Sequence, residues 1–238
     1  MKKTSSFLVT IAFLLFAFTP NNQTIWKADL SHSNLGFAIL HQLVNDVRGT
    51  VKVTESTITQ PKEDFTDATI TLKADLNSID TDNDKRDAHL KTADFFDTEK
   101  FPELSFQSIS FIKKNPDTYT ITGNLTLHGI TKAATLNAVS KSGINAMNNK
   151  PVIGFKVTGV IKRTDFAISA SAPSAMISDE VNIEANLEFG KQSFGAIRCA
   201  RLMRDDASIL LPPGGMFFAA SCDGVIQSVH LLFIRLHK

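Results

Sequence analysis

Three segments of this chain alternate strictly between apolar and polar residues, and that alternation restricts the fold more than any other feature. They cover residues 69–76, 118–127 and 181–189 and are rich in β-branched side chains. A period of two places every second side chain on one face of a strand, so one face is buried and the other meets solvent. Further strands are predicted at residues 35–40, 47–55, 104–113, 134–140 and 152–164. Many short strands at regular spacing favour an all-β sandwich or barrel.

One segment in the middle of the chain has helical character instead. Asp82, Asn83 and Asp84 are good N-cap residues, and no β-branched residue follows them before Thr92. We therefore predict a short helix over about residues 84–92, between two strands. At one end of a barrel such a helix is a candidate lid or plug.

The first 23 residues have the pattern of a secretory signal. Lys2 and Lys3 give a positive start, and the apolar run from residue 7 to residue 18 is too short to span a membrane. We predict a signal peptide over residues 1–23, a periplasmic or secreted protein, and no stable membrane span. An uncleaved N-terminal anchor is the alternative.

The last 47 residues, 192–238, differ in composition from the rest of the chain. They hold both cysteines, Cys199 and Cys222, and four arginines but one lysine, and they lack strand or capped-helix periodicity. We predict that residues 24–191 form the working domain and that this tail is a foreign extension. A genuine C-terminal appendage is the competing interpretation.

Several classes of function are disfavoured by composition and motifs. The balance of 25 Lys and Arg against 24 Asp and Glu gives no basic footprint for nucleic acid. The histidines of residues 24–191 lack His-x-x-x-His spacing, and that range contains no cysteine, so we predict no metal site. No Gly-x-Ser-x-Gly, Gly-x-Gly-x-x-Gly or Walker motif occurs, so we predict no cofactor and no enzymatic activity.

Four sequence blocks, in this order and at this spacing, are similar to those of one family. They are Trp26–Phe37 with His41 and Gly49, Arg86–Phe106, Gly123–Lys132, and Ile161–Phe166. On these blocks the chain resembles the YceI-like family of lipocalin-like lipid-binding proteins. The resemblance implies an extended antiparallel β-barrel of about eight strands around an apolar channel. It also implies one long-chain amphiphile as ligand, such as a polyisoprenoid, an isoprenoid quinone or a fatty-acid derivative, and it makes a homodimer plausible.

The candidate ligand-binding residues combine this resemblance with side-chain chemistry. Apolar rings suit either the wall of an alkyl-chain tunnel or a dry core, so each Phe has two interpretations. The histidines of the family blocks, His32 and His89, either fix loops by hydrogen bonds or meet a ligand head group. The candidates are Phe37, Ile39, Arg86, His89, Phe95, Phe96, Phe106, Phe155, Arg163 and Phe166.

Two arginines have a further alternative. Arg86 and Arg163 either form salt bridges with the nearby Asp87 and Asp165, or clamp an anionic head group in a bidentate contact. For the whole protein, carriage or sequestration of a lipid is the leading hypothesis. A lipid-modifying hydrolase and a stress or surface protein that uses the barrel as an interaction scaffold are the alternatives.

Overall fold

The structure is a computed structural model that describes residues 23–192. The predicted signal peptide and C-terminal tail lie outside this range, apart from their boundary residues 23 and 192. Within it are eight β-strands, one α-helix and one 3₁₀ helix. They are β1 (Thr24–His41), β2 (Asn45–Gln60), β3 (Thr69–Asp80), α1 (Asp84–Leu90), β4 (Glu103–Asn115), β5 (Thr118–Leu127), β6 (Ile130–Ile144), β7 (Pro151–Lys162), the 3₁₀ helix (Arg163–Phe166) and β8 (Ile177–Lys191).

The strands form one closed antiparallel barrel. Each strand pairs with the next along the chain, and β8 pairs with β1 to close the sheet. The alternation in the sequence determines which side chains of each strand face the interior of the barrel and which face solvent. On β8, for example, Ala185, Leu187 and Phe189 are buried, whereas Asn182 and Glu184 are exposed. The predicted all-β barrel of about eight strands with one short helix is confirmed.

Several predicted strand boundaries are wrong, and those of β1 and β7 have a local cause. β1 begins at Thr24 and not at residue 35, because its register is irregular between Lys27 and Leu35 and a bulge interrupts the alternation. β7 ends at Lys162, because Arg163 begins the 3₁₀ helix. The long β1 is the strand that closes the barrel.

α1 forms where the capping residues predict it. The side chain of Asn83 accepts a hydrogen bond from the backbone N–H of Arg86 at 3.0 Å, which satisfies one of the free N–H groups of the first turn. The helix ends at Leu90, two residues before the predicted end at about residue 92. None of the helices within residues 23–192 is long and apolar enough to cross a membrane.

The two ends of the barrel differ. The connections β1–β2, β3–β4, β5–β6 and β7–β8 meet at one end, which we call the mouth, and α1 belongs to the second of them. The opposite end is closed by six aromatic side chains, which we call the floor. Ring centroids of neighbouring floor residues lie 5.0–6.2 Å apart, mostly in tilted or edge-to-face pairs. The floor residues are Trp26, Phe65, Phe111, Tyr119, Phe155 and Phe189.

The polar atom of the floor's tryptophan is satisfied inside the protein. The indole Nε1–H of Trp26 donates to Oε1 of Gln60 at 2.7 Å, and Nε2 of Gln60 donates to the carbonyl of Glu63 at 2.8 Å. A buried N–H without a partner costs about 1–3 kcal/mol, so this chain of hydrogen bonds makes the closed end stable. It also ties β1 to the β2–β3 connection that covers the floor.

Candidate functional site

A cavity of about 330 Å³ lies inside the barrel at the mouth. We call it the outer chamber. Its wall consists mainly of aliphatic and aromatic side chains from seven strands, α1 and the loops at the mouth. The lining residues are Leu35, Gly36, Phe37, Ile39, His41, Val47, Val51, Leu76, Thr81, Arg86, His89, Leu90, Phe95, Phe96, Leu104, Leu127, Ile161, Arg163, Ile168, Ile177, Val181 and Ile183.

A second space of about 80 Å³ lies deeper in the barrel, and we call it the inner chamber. Both chambers are lined by Leu35, Leu104 and Ile183, which form the boundary between them. Along β8 the wall passes from Val181 in the outer chamber to Leu187 in the inner one, six residues or about 20 Å of strand. The chambers therefore follow one another from the mouth towards the floor.

Polar groups of the cavity are concentrated at the mouth. Nε of Arg86 donates to Oγ1 of Thr81 at 2.7 Å, and Nη2 of Arg86 donates to the Thr81 carbonyl. The carboxylate of Asp87 accepts from the backbone N–H of Thr81 at 3.0 Å and from its hydroxyl. Arg86 and Asp87 thus hold Thr81 between them, and the predicted direct salt bridge is wrong. Nη1 of Arg86 has no hydrogen-bond partner among residues 23–192, so it is available to a ligand.

Aromatic rings cover the helix side of the mouth. Phe95 and Phe96 follow α1 and are half-buried, and the His89 ring packs edge-to-face on Phe95 with centroids 4.9 Å apart. His89 itself is exposed at the rim, as is His41 at the end of β1. The mouth therefore combines an apolar wall with an arginine and two imidazoles at its edge.

Arg163 lies at the mouth in a different environment, because its side chain is 3% exposed. All five guanidinium N–H groups donate to backbone carbonyls of the β7–β8 connection and of the start of β8. Neither predicted role is therefore possible for Arg163 in this arrangement: it has no N–H group left for Asp165 or for a ligand head group. The acceptors are the carbonyls of Ser178 at 3.1 Å from Nε, Ile168 and Ser169 at Nη1, and Ala172 and Ile177 at Nη2.

A carboxylate next to this arginine is held in its charged form. Asp179 accepts hydrogen bonds from the Thr164 hydroxyl at 2.7 Å and from the Thr164 backbone N–H at 3.1 Å. The hydroxyl bond is the main reason that the pKa of Asp179 is lowered, and the charge of Arg163 contributes to the same shift. The β7–β8 connection is thus fixed from two sides.

The family assignment rests on a match that covers most of this domain. A model of the YceI-like domain matches residues 26–189. The chain belongs to the YceI-like family. Protein YceI of Salmonella newport is 35% identical over 182 residues, which cover 75% of this chain and 93% of that protein. The resemblance seen in the four sequence blocks is confirmed.

Solved structures share the YceI barrel. The Campylobacter jejuni YCEI protein aligns with a TM-score of 0.58 at 27% identity, covering 63% of this chain and 88% of that one. A polyisoprenoid binding domain from Saccharophagus degradans aligns with a TM-score of 0.50 at 17% identity, covering 70% of this chain and 98% of that one. The second similarity is one of fold.

The structure brings seven of the ten candidate residues of this YceI barrel together around the outer chamber. These are Phe37, Ile39, Arg86, His89, Phe95, Phe96 and Arg163. Phe106 lines the inner chamber, whereas Phe155 belongs to the floor. Phe166 is fully buried, and its carbonyl lies 2.9 Å from Nδ1 of His128. Phe155 and Phe166 therefore pack in the core and not on a chamber wall. Contact of the other residues with a ligand stays a prediction, which for Arg163 concerns only its side-chain carbons, because its five N–H groups already have partners.

Most of the chamber wall consists of Leu, Ile and Val residues that the sequence analysis did not select. Leu35 is an example, because it continues the alternating set of Phe37 and Ile39 on β1. These residues could have been identified from their position in the sequence, because they are inward-facing strand residues close to the connections that form the mouth. Residues of the same alternating type near the other end form the floor.

A cluster of polar residues outside the chambers bears on the metal and hydrolase questions. Nδ1 of His32 lies 2.9 Å from Oδ2 of Asp29, and the Ser31 hydroxyl donates to Oδ1 of Asp29 at 2.6 Å. Hydrogen bonds from Ser31 and His32 lower the pKa of Asp29 to about 2, and the bond to Asp29 raises the pKa of His32. With Glu188, these groups bring three ligand atoms within 4.8 Å of one another. The shifts describe an exposed ion pair whose carboxylate already accepts three hydrogen bonds.

The same cluster does not have the geometry of a catalytic triad. In a triad the serine hydroxyl meets Nε2 of the histidine while the carboxylate meets Nδ1. Here the Ser31 hydroxyl lies 3.3 Å from Nδ1, the nitrogen that already faces Asp29. The Ser31 hydroxyl therefore donates to the Asp29 carboxylate, and these three residues do not form the Ser–His–Asp relay of a triad.

Proposed function

We propose that this protein binds one long-chain amphiphile, with the apolar tail in the two chambers and the polar head at the mouth. One observation carries the proposal: a closed barrel, whose far end is filled by the aromatic floor, encloses two successive apolar spaces of about 330 and 80 Å³. Small barrels of eight strands hold one small ligand in this way. The role is that of a carrier or sequestering protein, not an enzyme.

The free energy of binding comes from removing the tail from water. Each buried methylene contributes about 0.8 kcal/mol, so several methylenes offset the cost of ordering a flexible chain. No side chain that lines the inner chamber can form a hydrogen bond, so the part of the tail that enters this chamber is apolar. The description of the Saccharophagus degradans domain as polyisoprenoid binding supports an isoprenoid or fatty-acyl tail here.

The head group is the part that Arg86 and His89 face. A carboxylate, a phosphate or a quinone carbonyl accepts hydrogen bonds from Nη1 of Arg86, and an anionic head gains more because the bond is charge-assisted. The mouth therefore prefers an amphiphile with a hydrogen-bond acceptor at its head over a simple hydrocarbon.

Arg86→Gln is expected to weaken the binding of a long-chain fatty acid about tenfold and to leave the matching long-chain alcohol nearly unchanged. Loss of one charge-assisted hydrogen bond costs about 1.5–3 kcal/mol, and the half-exposed position of Arg86 favours the lower value. Displacement of a fluorescent fatty-acid probe measures both affinities. Lys85→Gln, on the exposed side of the same turn, is the control. An equal loss for acid and alcohol would contradict a head-group role for Arg86.

Lipid extraction combined with native mass spectrometry tests the function itself. Protein purified from its native compartment is expected to carry an unmodified amphiphile at about one molecule per chain. Purified protein that carries no lipid and takes none up from vesicles would contradict the proposal. Turnover of a lipid ester would favour the hydrolase, which the geometry of Ser31 and His32 does not support. An interaction scaffold would use an open strand edge or an exposed apolar patch, and the closed barrel of residues 24–191 offers no open edge.

Export is part of the same proposal. A positive start followed by a short apolar run supports a periplasmic or secreted location, where a lipid carrier moves amphiphiles between membranes. The working domain, residues 24–191, contains no cysteine and needs no disulfide in such a compartment. Association into a homodimer stays a prediction.

A further inference from the structure

Three glycines face the inside of the barrel, and each lies under one large side chain of a neighbouring strand. A Cβ atom at Gly49 would lie 2.5 Å from the Phe37 ring, and one at Gly123 would lie 2.5 Å from the Phe106 ring. A Cβ atom at Gly159 would lie 2.4 Å from Cδ2 of Leu136. Real Cβ atoms do not approach other atoms so closely, so in each pair the large side chain occupies the space that a side chain on the partner strand would fill.

This arrangement keeps the three large side chains against the wall of the barrel and leaves the lumen open. A large side chain that lies sideways over a glycine follows the wall of the barrel, and it does not project towards the axis. Phe37 lines the outer chamber, and Phe106 and Leu136 line the inner one. Were these three side chains directed to the axis, they would fill the spaces proposed to hold the ligand tail, since protein interiors otherwise pack without voids.

Leu136 and Gly159 form the pair that governs the inner chamber. Gly159 lies on β7 between Val157, which lines the inner chamber, and Ile161, which lines the outer one. The backbone carbonyl of Thr135 lies 3.5 Å from the same Cβ position, so the close contact of that Cβ is with the Leu136 side chain alone. A side chain at 159 therefore displaces Leu136 into the inner chamber.

We propose that Gly159 is a specificity-determining residue that sets the length of tail the barrel accepts. By holding Leu136 against the wall, it keeps the inner chamber open to tails long enough to pass Leu35, Leu104 and Ile183. The preferred ligand is then a straight or regularly branched chain that reaches the inner chamber, and shorter chains that stop in the outer chamber bind more weakly. This inference rests on the proposed function.

Gly159 gives a cleaner test than the other two glycines. A Cβ at Gly123 would also meet the backbone carbonyl of Gln107 at 2.4 Å, so the strand itself would have to shift. A Cβ at Gly49 would also meet Thr81 at 2.7 Å, and Thr81 is held by Arg86 at the mouth. At Gly159 the close contact is with the end of one flexible side chain.

The test measures the affinity of a homologous series of fatty acids of increasing length. In Gly159→Ala, long homologues are expected to bind about tenfold or more weakly, since each buried methylene lost costs about fourfold, while short homologues keep their affinity. The double variant Gly159→Ala/Leu136→Ala is expected to recover long-chain binding, because the displaced side chain is gone. Thermal unfolding checks that each variant is folded.

Gly154→Ala is the matched control, because Gly154 lies on the same strand and a Cβ there has its nearest neighbour at an ordinary 3.8 Å. It should leave the whole series unchanged. The inference is overturned if Gly159→Ala weakens short and long chains equally, or if removal of Leu136 fails to recover the long ones. A wild-type protein that binds no member of the series would overturn the proposed function and this inference with it, a result distinct from the other two.

Discussion

Replacing Arg163 by methionine is expected to lower the free energy of unfolding by about 3–5 kcal/mol. The substitution keeps most of the side-chain volume but leaves five backbone carbonyls, in the β7–β8 connection and at the start of β8, without their donor. Each unsatisfied buried polar group costs about 1–3 kcal/mol, and the values do not add fully because the connection relaxes and admits water. Against a typical total of about 5–15 kcal/mol, this loss is a large fraction of the free energy of unfolding.

Urea unfolding, followed by circular dichroism, measures this loss. Arg48→Met is the control: that arginine is 79% exposed and lies 3.8 Å from Asp46, and such surface pairs contribute about 0–1 kcal/mol. If the two variants lost the same small amount of stability, Arg163 would not be the residue that organises the connection. A normal stability with altered ligand selectivity would instead restore the head-group role.

The second large effect concerns binding and not stability. Leu104→Trp is expected to weaken the binding of a long-chain fatty acid at least about thirtyfold. Leu104 lies at the boundary between the chambers, where a larger ring excludes several methylenes of the tail. Loss of two to three methylenes at about 0.8 kcal/mol each amounts to about 2 kcal/mol.

The same substitution on the outer face of β4 provides the comparison. Gln107 is exposed on that strand, so Gln107→Trp adds an indole without entering the lumen. Isothermal titration with one fatty acid compares the two variants with the wild type. Equal affinities for all three proteins would mean that the tail does not pass Leu104.

The fold could be predicted from the sequence because each barrel strand shows the alternation of apolar and polar residues within its own segment. The first part of β1 was not predicted, because a bulge between Lys27 and Leu35 shifts the register and the inward residues no longer occupy every second position. The helix was predictable for a similar reason, since the Asn83 cap acts on the next turn of the same segment.

The site was predictable only in part, because its composition depends on the depth of each residue in the barrel. Phe95 and Phe155 are residues of the same type, yet Phe95 lines the outer chamber at the mouth and Phe155 belongs to the floor. The partners of Arg163 were not foreseeable, since they are backbone carbonyls and every residue has one. Gly159 gave no signal either, because its role appears only when Leu136 of the adjacent strand is placed over it.

Quenching of Trp26 fluorescence by nitroxide-labelled fatty acids tests the central claim most directly. Trp26 is the single tryptophan of the chain and belongs to the floor, beside Phe65 at 5.8 Å. If the tail enters the barrel from the mouth, a label near the methyl end of the chain quenches Trp26 strongly and with saturation at one ligand per protein. A label near the carboxyl end quenches it weakly. Equal quenching by both labels, or stronger quenching by the carboxyl-end label, would contradict a tail buried between mouth and floor.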